Sequence, residues 1–274
     1  MHGQPTLSKA TLRGVDLAWW QWPCEGPSIV LCHATGFHGR CWDQVVRQLP
    51  GRRVIAVDFR GHGRSGNAQD YSWRRFGEDL AELMAHIGVE NAVGVGHSMG
   101  GHAVALAAAL NPAAFRSLIL LDPVILPPEQ YRGPEPPLDF VLRRRNQWTS
   151  PDEMVERFRS RPPFNRWAEG VLRDYCDYAL NGAQLACQPE VEAFVYAHSC
   201  DFDANIYAEL AAVSQPVVVV RSRDPYSYGK FDGSATAPDL AARFPHGQDL
   251  HWTNVSHFIP MEAPTATAKL ILKT

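Results

Sequence analysis

The chain has 274 residues, 45% of them hydrophobic, which is enough to bury one large core. Its formal net charge of −3 provides no general attraction to phosphate backbones or anionic lipid, which argues against a nucleic-acid or membrane-surface role. Residues 1–10 contain no basic segment followed by an apolar one, and no stretch is apolar for long enough to span a membrane. We therefore expect a cytoplasmic protein.

The sequence alternates extended segments with helical ones along most of its length. In chain order, the predicted elements are hairpin strands at 6–12 and 15–22, a strand at 28–33, a helix at 40–49, a strand at 53–58, a helix at 73–87, a strand at 91–97, a helix at 98–110, strands at 116–122 and 216–221, a helix at 235–244, a strand at 248–252 and a helix at 259–272. Continuous apolar runs are typical of strands buried on both faces. The alternation predicts an α/β fold in which helices cover both faces of a mainly parallel sheet.

Between the strand at 91–97 and the helix at 98–110 the chain reads Gly96-His-Ser98-Met-Gly100. In this G-x-S-x-G pattern the serine occupies a sharp turn, so the residues two before and two after it must be small. The turn lifts the hydroxyl above the carboxyl ends of the strands and aims the N-terminus of the next helix at any developing negative charge. We interpret Ser98 as a nucleophile.

From residue 123 to residue 213 the alternation gives way to proline-rich loops and helical pieces. This segment carries more aromatic residues than a connecting loop requires. We interpret 123–213 as a helical cap or lid above Ser98, and 1–122 together with 214–274 as the core domain. Its basic run, Arg143-Arg144-Arg145, is interpreted as a solvated helix face.

A serine hydroxyl needs a neighbouring base to become a good nucleophile, and the later sequence provides one. His257 lies in a loop just before the last predicted helix, from which its ring can reach Ser98. Asp224 follows the strand at 216–221 and is preferred as the carboxylate that orients His257. Asp122 also ends a strand beside the site and stays open as the alternative.

Together these motifs resemble the α/β-hydrolase superfamily, from about residue 15 to the C-terminus. The resemblance is carried by His33-Ala-Thr-Gly-Phe37 with Trp42 after it, by Asp58-Phe-Arg-Gly-His-Gly-Arg-Ser65, by Gly96-His-Ser-Met-Gly100, and by Asp224 and His257. It implies the α/β-hydrolase fold, a mostly parallel eight-stranded sheet flanked by helices with a helical cap inserted after the sixth strand, and a reaction without a cofactor. Stretches 143–148 and 187–190 more weakly resemble the lid of lipase-like hydrolases related to fungal toxin-biosynthesis proteins.

Members of this superfamily commonly have His-Gly-x after the third strand, where the amide of x donates to the oxyanion, but Ala34 replaces the glycine here. Counting from His33 without a gap makes Thr35 the donor, whereas a shifted loop makes it Phe37. The first assignment is preferred. The amide of Met99, directly after the nucleophile, is the predicted second donor.

The other chemistry-bearing residues are interpreted as structural. His33 is expected to brace the oxyanion loop, and His97 and His102 to pack away from the nucleophile. The cysteines at 24, 32, 41, 176, 187 and 200 follow no disulfide or metal-ligand spacing, so reduced thiols are expected. No residue cluster has metal-ligand spacing and no G-x-G-x-x-G follows a strand, so we expect neither a metal nor a cofactor.

The sequence therefore predicts a serine hydrolase that cleaves carboxylic esters through an acyl-enzyme intermediate, small model esters included. The predicted substrate pocket, suited to an apolar acyl or aryl group, comprises His33, Phe37, Trp148, Trp167 and Phe258. A carbon–carbon bond hydrolase or a lactonase would keep the same triad, and a ligand-binding receptor with little turnover is a further alternative. A small-molecule ester is the expected partner, with no nucleic acid and no stable membrane insertion, and the chain is compatible with a monomer or a dimer.

Overall fold

A computed structural model describes residues 3–223 and 232–274 of the chain. The strands in these residues are β1 (Thr6–Leu12), β2 (Val15–Trp22), β3 (Ser28–Cys32), β4 (Arg53–Asp58), β5 (Ala92–His97), β6 (Phe115–Leu121), β7 (Leu180–Asn181), β8 (Gln184–Leu185), β9 (Val217–Ser222) and β10 (Gly247–Trp252). Eight of these described strands form one sheet in the order β1-β2-β4-β3-β5-β6-β9-β10. Only the β1–β2 and β2–β4 pairs within it are antiparallel. The predicted mostly parallel, eight-stranded α/β fold is confirmed.

Helices connect and cover the strands. The α-helices are α1 (Asp43–Val46), α2 (Trp73–His86), α3 (Met99–Leu110), α4 (Asp139–Leu142), α5 (Pro151–Phe158), α6 (Glu169–Tyr178), α7 (Pro189–Ala197), α8 (Tyr207–Leu210), α9 (Ile259–Glu262) and α10 (Pro264–Lys273). Short 3-10 helices lie at Gly39–Trp42, Pro112–Ala114, Pro128–Gln130, Phe164–Arg166, His198–Cys200, Phe202–Ala204 and Leu240–Arg243. In the described residues no helix is long and apolar enough to cross a bilayer.

The two faces of the sheet bury two separate apolar clusters. Along β3, Val30 packs towards the side covered by α2 and α3, whereas Ile29 and Leu31 pack towards the side covered by α1 and α10. This alternation follows from the two-residue period of a strand. Because both faces are covered, the central strands are apolar throughout, and full burial of each large side chain stabilises the fold by about 1.5–3 kcal/mol.

Three predicted helices differ from the structure. The helix predicted at 40–49 is instead the 3-10 turn Gly39–Trp42 followed by the short helix α1. The predicted helix at 235–244 is wrong, because Pro238 restricts the residue before it and the described chain forms only the 3-10 turn Leu240–Arg243. The predicted C-terminal helix is divided at Ala263, where α9 ends and Pro264 starts α10. Pro264 lacks the N–H that a continuous helix would need, and it is instead well placed in a first turn.

Residues 123–213 form a helical segment inserted between β6 and β9. It contains α4 to α8 and the β7–β8 hairpin. Helices α5 and α6 contribute to a third buried cluster of aromatic and aliphatic side chains. That cluster includes Phe37, from the loop after β3, and Phe258, from the loop before α9. The inserted segment therefore packs on the two loops that carry Thr35 and His257.

Candidate active site

Ser98 lies at the tight turn between β5 and α3, and its backbone has a φ of 57°. A Cβ on Gly96 would lie 2.2 Å from the carbonyl oxygen of Gly100, and a Cβ on Gly100 would lie 2.3 Å from that of Cys32. No larger residue fits at either glycine without moving backbone. A positive φ at a residue other than glycine is strained and is typical of functional turns. The turn has the geometry that the G-x-S-x-G pattern predicts.

Three side chains from distant parts of the sequence meet at this edge of the sheet. His257 Nε2 lies 3.0 Å from Ser98 Oγ, and His257 Nδ1 lies 2.6 Å from Asp122 Oδ2. All three residues are buried. In such an arrangement the imidazole ring can accept the proton of the hydroxyl group, and the carboxylate stabilises the positive charge that forms on the ring.

The carboxylate at His257 is that of Asp122, the alternative in the sequence analysis, which directly follows β6 with a φ of 46°. The preferred residue, Asp224, lies outside the described residues. Ser222 donates to this carboxylate through its N–H at 2.9 Å and its hydroxyl at 3.0 Å, and Ser234 Oγ donates at 2.5 Å. Burial acts to raise the pKa of Asp122, but these donors and His257 outweigh it, and the pKa lies below its ordinary value.

His97 forms a hydrogen bond beside the site in addition to the packing predicted from the sequence. Its Nε2 lies 2.7 Å from the backbone carbonyl oxygen of His257, and the two rings lie 5.1 Å apart. Burial, with a smaller effect from the His257 ring, lowers the pKa of His97 to about 3. The ring is therefore neutral, and its Nε2–H donates to that carbonyl group. His97 therefore connects the turn that carries Ser98 to the loop that carries His257. In the sequence, the only sign of this contact is that His97 directly precedes Ser98.

The loop after β3 is fixed by His33. The N–H of Phe59 donates to His33 Nε2 at 3.1 Å, and His33 Nδ1 donates to the carbonyl group of Ala34 at 2.7 Å, as expected of a brace. The amide of Phe37 donates to the same Ala34 oxygen at 3.1 Å and is therefore engaged. Thr35 Oγ1 lies 3.4 Å from Met99 Sδ, which brings the loop against the start of α3. This geometry favours the amides of Thr35 and Met99 as oxyanion donors.

A cavity of about 370 Å³ lies beside these loops. Of the five residues predicted for the substrate pocket, Phe37, Trp167 and Phe258 line this cavity, whereas His33 and Trp148 do not. The His33 ring is held beneath the loop by its two backbone hydrogen bonds, and Trp148 packs behind Phe158 at a ring distance of 5.2 Å. The other lining residues, which were not predicted from the sequence, are Gly36, Phe140, Arg144, Phe158, Arg161, Pro162, Pro163, Phe164, Tyr175, Glu192 and Tyr196.

Comparison with known proteins identifies the family. The sequence model of the alpha/beta hydrolase family matches residues 29–270, which include all the strands of the parallel part of the sheet and the three side chains described above. The chain belongs to this family. The match starts at β3 and leaves out only the β1–β2 hairpin and the chain ends.

Relatives of this hydrolase include proteins named as esterases and lipases. It is 33% identical to the pimeloyl-[acyl-carrier protein] methyl ester esterase of Vibrio vulnificus over 87% of this chain and 90% of that protein. It is 36% identical to lipase LipV of Mycobacterium tuberculosis over 40% of this chain and 43% of that one. The match also covers less than half the length of several other curated relatives.

Solved structures show the same fold at lower identity. E-2-(acetamidomethylene)succinate hydrolase superposes with a TM-score of 0.77 and 18% sequence identity, and the match covers 98% of each chain. At this identity the likeness supports the fold and says nothing of the substrate.

An ion pair from the inserted segment supports the loop after β3 of this hydrolase. Glu192, on α7, is buried and pairs with Arg144, which corrects the interpretation of the 143–145 run as a wholly solvated face. A Cβ on Gly36 would lie 2.6 Å from Glu192 Oε1, so the carboxylate packs directly against the loop. Tyr196 Oη donates to the carbonyl group of Thr35 at 3.5 Å. The loop is therefore held from the sheet side by His33 and from the inserted segment by α7.

Replacing Glu192 with glutamine should lower the free energy of unfolding of the hydrolase by about 2 kcal/mol or more, because the largely buried Arg144 charge loses its counter-ion. Urea denaturation followed by tryptophan fluorescence measures this change. Glu190→Gln is the matched control, since Glu190 is exposed on the same helix. Equal denaturation midpoints for the two variants would show that the pair contributes nothing.

Proposed function

We propose that this alpha/beta hydrolase cleaves carboxylic esters by acyl transfer through Ser98. The observation that carries the proposal is the continuous hydrogen-bonded chain from Ser98 Oγ through the His257 ring to Asp122. The names of the esterase and lipase relatives support the choice of an ester. A serine at the turn, in place of an aspartate, favours an acyl-enzyme over an alkyl-enzyme ester.

In the first half of the reaction, Ser98 Oγ attacks the ester carbonyl carbon while His257 Nε2 takes the hydroxyl proton. The amides of Thr35 and Met99 donate to the tetrahedral oxyanion, and each such donor contributes roughly two to three orders of magnitude in kcat. Collapse of the intermediate breaks the bond to the alcohol oxygen. His257 returns the proton to that oxygen, and the alcohol leaves.

In the second half, water attacks the acyl-enzyme and gives its proton to His257. The second tetrahedral intermediate expels Ser98 Oγ, which recovers the proton, and the carboxylic acid is released. Asp122 keeps the Nδ1 proton of His257 in place throughout, so Nε2 stays available as the base. The inserted segment 123–213 acts as the cap, and its aromatic cavity favours an apolar acyl or aryl group.

A panel of p-nitrophenyl esters of increasing acyl length, combined with labelling by a fluorophosphonate probe, tests this function. We expect turnover and labelling of the wild type, and a loss of kcat of about four orders of magnitude or more in Ser98→Ala. Ser160→Ala, at an exposed serine outside the site, should behave as the wild type. The release of p-nitrophenol and the mass of the labelled protein are the two measurements.

Three outcomes would contradict the proposal. Labelling of Ser98 without steady turnover would indicate a ligand-binding role. Cleavage of ring-cleavage diketones or lactones without cleavage of any open-chain ester would indicate carbon–carbon bond hydrolysis or lactonase chemistry. Ester hydrolysis that survives Ser98→Ala would exclude Ser98 as the nucleophile.

A further inference from the structure

The aromatic cavity beside the oxyanion loop contains three charged side chains among its described lining residues. These are Arg144, Arg161 and Glu192, and the other lining residues are aromatic residues, prolines and glycine. Two guanidinium groups against one carboxylate leave the cavity with an excess of positive charge. A positive charge on the wall of an apolar cavity favours a ligand that carries an anionic group.

Arg144 is already compensated. One of its terminal nitrogens pairs with Glu192, and the other donates to Tyr175 Oη at 3.1 Å. The Glu192 side chain is only 5% exposed and is held against Gly36. These contacts give Arg144 and Glu192 a structural role in the cap. Because their charges compensate each other, the excess positive charge of the cavity is that of Arg161.

Arg161 lies in a turn whose backbone is well fixed. Its N–H donates to the carbonyl group of Phe158 at 2.8 Å, and its own carbonyl group accepts from Asn165 N–H at 3.0 Å. Phe158 and Phe164, on either side of it in the sequence, stack at a ring distance of 4.4 Å and line the same cavity. The guanidinium group is therefore attached to an ordered part of the cavity wall.

The side chain of Arg161 makes no ion pair with the described residues, although acidic residues surround the neighbouring arginines. Arg159 lies 3.6 Å from Glu156 and 3.5 Å from Glu169, and Arg166 lies 2.9 Å from Glu262. Arg161 is exposed at the cavity, with its fork of N–H donors open to a ligand. Such a fork matches the two oxygens of a carboxylate.

We propose that Arg161 binds an anionic group of the substrate, and that the preferred substrates are esters whose acyl chain carries a carboxylate at its far end, such as half-esters of dicarboxylic acids. This inference rests on the proposed function and names its substrate class. The aromatic walls bury the methylene chain, the ester carbonyl group meets Ser98 and the oxyanion donors, and the far carboxylate meets Arg161.

Matched monomethyl and dimethyl esters of adipic, suberic and sebacic acid test the proposal. The two members of each pair differ at the far end, where one has a carboxylate and the other a methyl ester, and initial rates for the dimethyl ester are halved because it has two equivalent ester groups. The three acids differ in length by two methylene groups each. We expect kcat/KM for the monomethyl ester to exceed that for its dimethyl partner by about threefold or more at one length at least, and added salt to reduce the preference. Methanol release measures both reactions.

Variants at two nearby arginines test whether Arg161 causes the preference for the monomethyl ester. Arg161→Gln should reduce the ratio of the two kcat/KM values to about one, and Arg161→Lys should leave an intermediate ratio because it keeps the charge and loses the fork. Arg159→Gln is the matched control and should keep the wild-type ratio, since Arg159 is paired outside the cavity lining. A wild-type ratio of one or less at every length, or a preference that survives Arg161→Gln, would overturn the proposal.

Binding to the Ser98→Ala variant separates this proposal from the proposed function, because it needs no turnover. We expect calorimetry to show tighter binding of a monomethyl ester than of its dimethyl partner, by about threefold or more, and no difference in Ser98→Ala/Arg161→Gln. Equal binding in Ser98→Ala would overturn the anionic subsite even if esters are cleaved. Selective binding without cleavage by the wild type would support the subsite and contradict the esterase function.

Discussion

Replacing Asp122 with asparagine is expected to lower kcat for ester cleavage by about four orders of magnitude. Asp122 Oδ1 accepts from the N–H of Ser222, which can only donate, so an asparagine at this position must place its carbonyl oxygen there. Its NH₂ group then faces His257 Nδ1, where Oδ2 now lies. The ring is driven into the tautomer with its proton on Nε2, and it cannot accept the proton of Ser98.

Asp224→Asn provides the decisive comparison for this prediction. Because the Nδ1 position is taken by Asp122, we expect Asp224→Asn to retain kcat within about tenfold of the wild type. Steady-state kinetics with a p-nitrophenyl ester gives kcat and KM for both variants, and circular dichroism verifies that each is folded. Near-normal kcat in Asp122→Asn together with a large loss in Asp224→Asn would return the role to the residue first preferred from the sequence.

The difficulty in choosing between these two aspartates has a physical origin. Both follow strands of the parallel sheet, and the carboxyl ends of parallel strands meet at the same edge. The local sequence therefore places both near Ser98 and gives no means of separating them. The distinction depends on a φ of 46° at Asp122 and on donors from Ser222 and Ser234, which are about 100 residues away in the chain.

Much of the fold and the turn that carries Ser98 could be predicted because their signals are local. A strand buried on both faces is a continuous apolar run, and the turn at Ser98 requires Gly96 and Gly100 beside it. His257 was predictable from its place before the last helix. The alpha/beta hydrolase family match agrees with the resemblance that these motifs carry.

The cavity could not be predicted in the same way. Aromatic residues in the inserted segment follow no single period, so the sequence does not indicate which of them face the cavity and which form the packing behind it. Trp148 and Trp167 are both buried, yet only Trp167 lines the cavity. Arg144 looked solvated because it lies in a basic run, and its partner Glu192 is remote in sequence.

Acidification from pH 7 to pH 5 is expected to lower the free energy of unfolding by several kcal/mol, because within the described residues five buried histidines resist protonation. They are His33, His38, His62, His97 and His102. Burial is the main cause in each case, and it lowers the pKa of His38 and His97 to about 3, that of His62 and His102 to about 4, and that of His33 well below its ordinary value. Each ring keeps a neutral hydrogen-bonding role, such as the bond from His102 to the carbonyl group of Ala204 at 2.9 Å.

The sign of the effect follows from proton binding in the two states. An unfolded histidine binds a proton below about pH 6.5, whereas these folded histidines remain neutral to much lower pH. Between those limits the unfolded chain holds more protons, so stability is complete above about pH 6.5 and is lost as the pH falls towards the folded pKa values. Each histidine contributes a slope of up to about 1.4 kcal/mol per pH unit. Asp174 acts in the opposite sense, because burial raises its pKa to about 6. Burial also raises the pKa of five other carboxyl groups, which offset part of the loss in the same way: Asp43, Asp58, Asp79, Glu192 and Asp203.

These slopes act over the roughly 1.5 pH units between pH 6.5 and pH 5, and together they are a large part of a total stability of about 5–15 kcal/mol, so we expect a marked loss of stability by pH 5. Urea denaturation at pH 7, 6 and 5 measures the loss. His102→Gln should reduce the slope by the contribution of one proton, since glutamine does not titrate, whereas His246→Gln, at an exposed histidine, should leave it unchanged. A free energy of unfolding that stays constant from pH 7 to pH 5 would mean that the buried rings are protonated in the folded protein, and the neutral hydrogen-bonding roles of His33 and His97 would then be wrong.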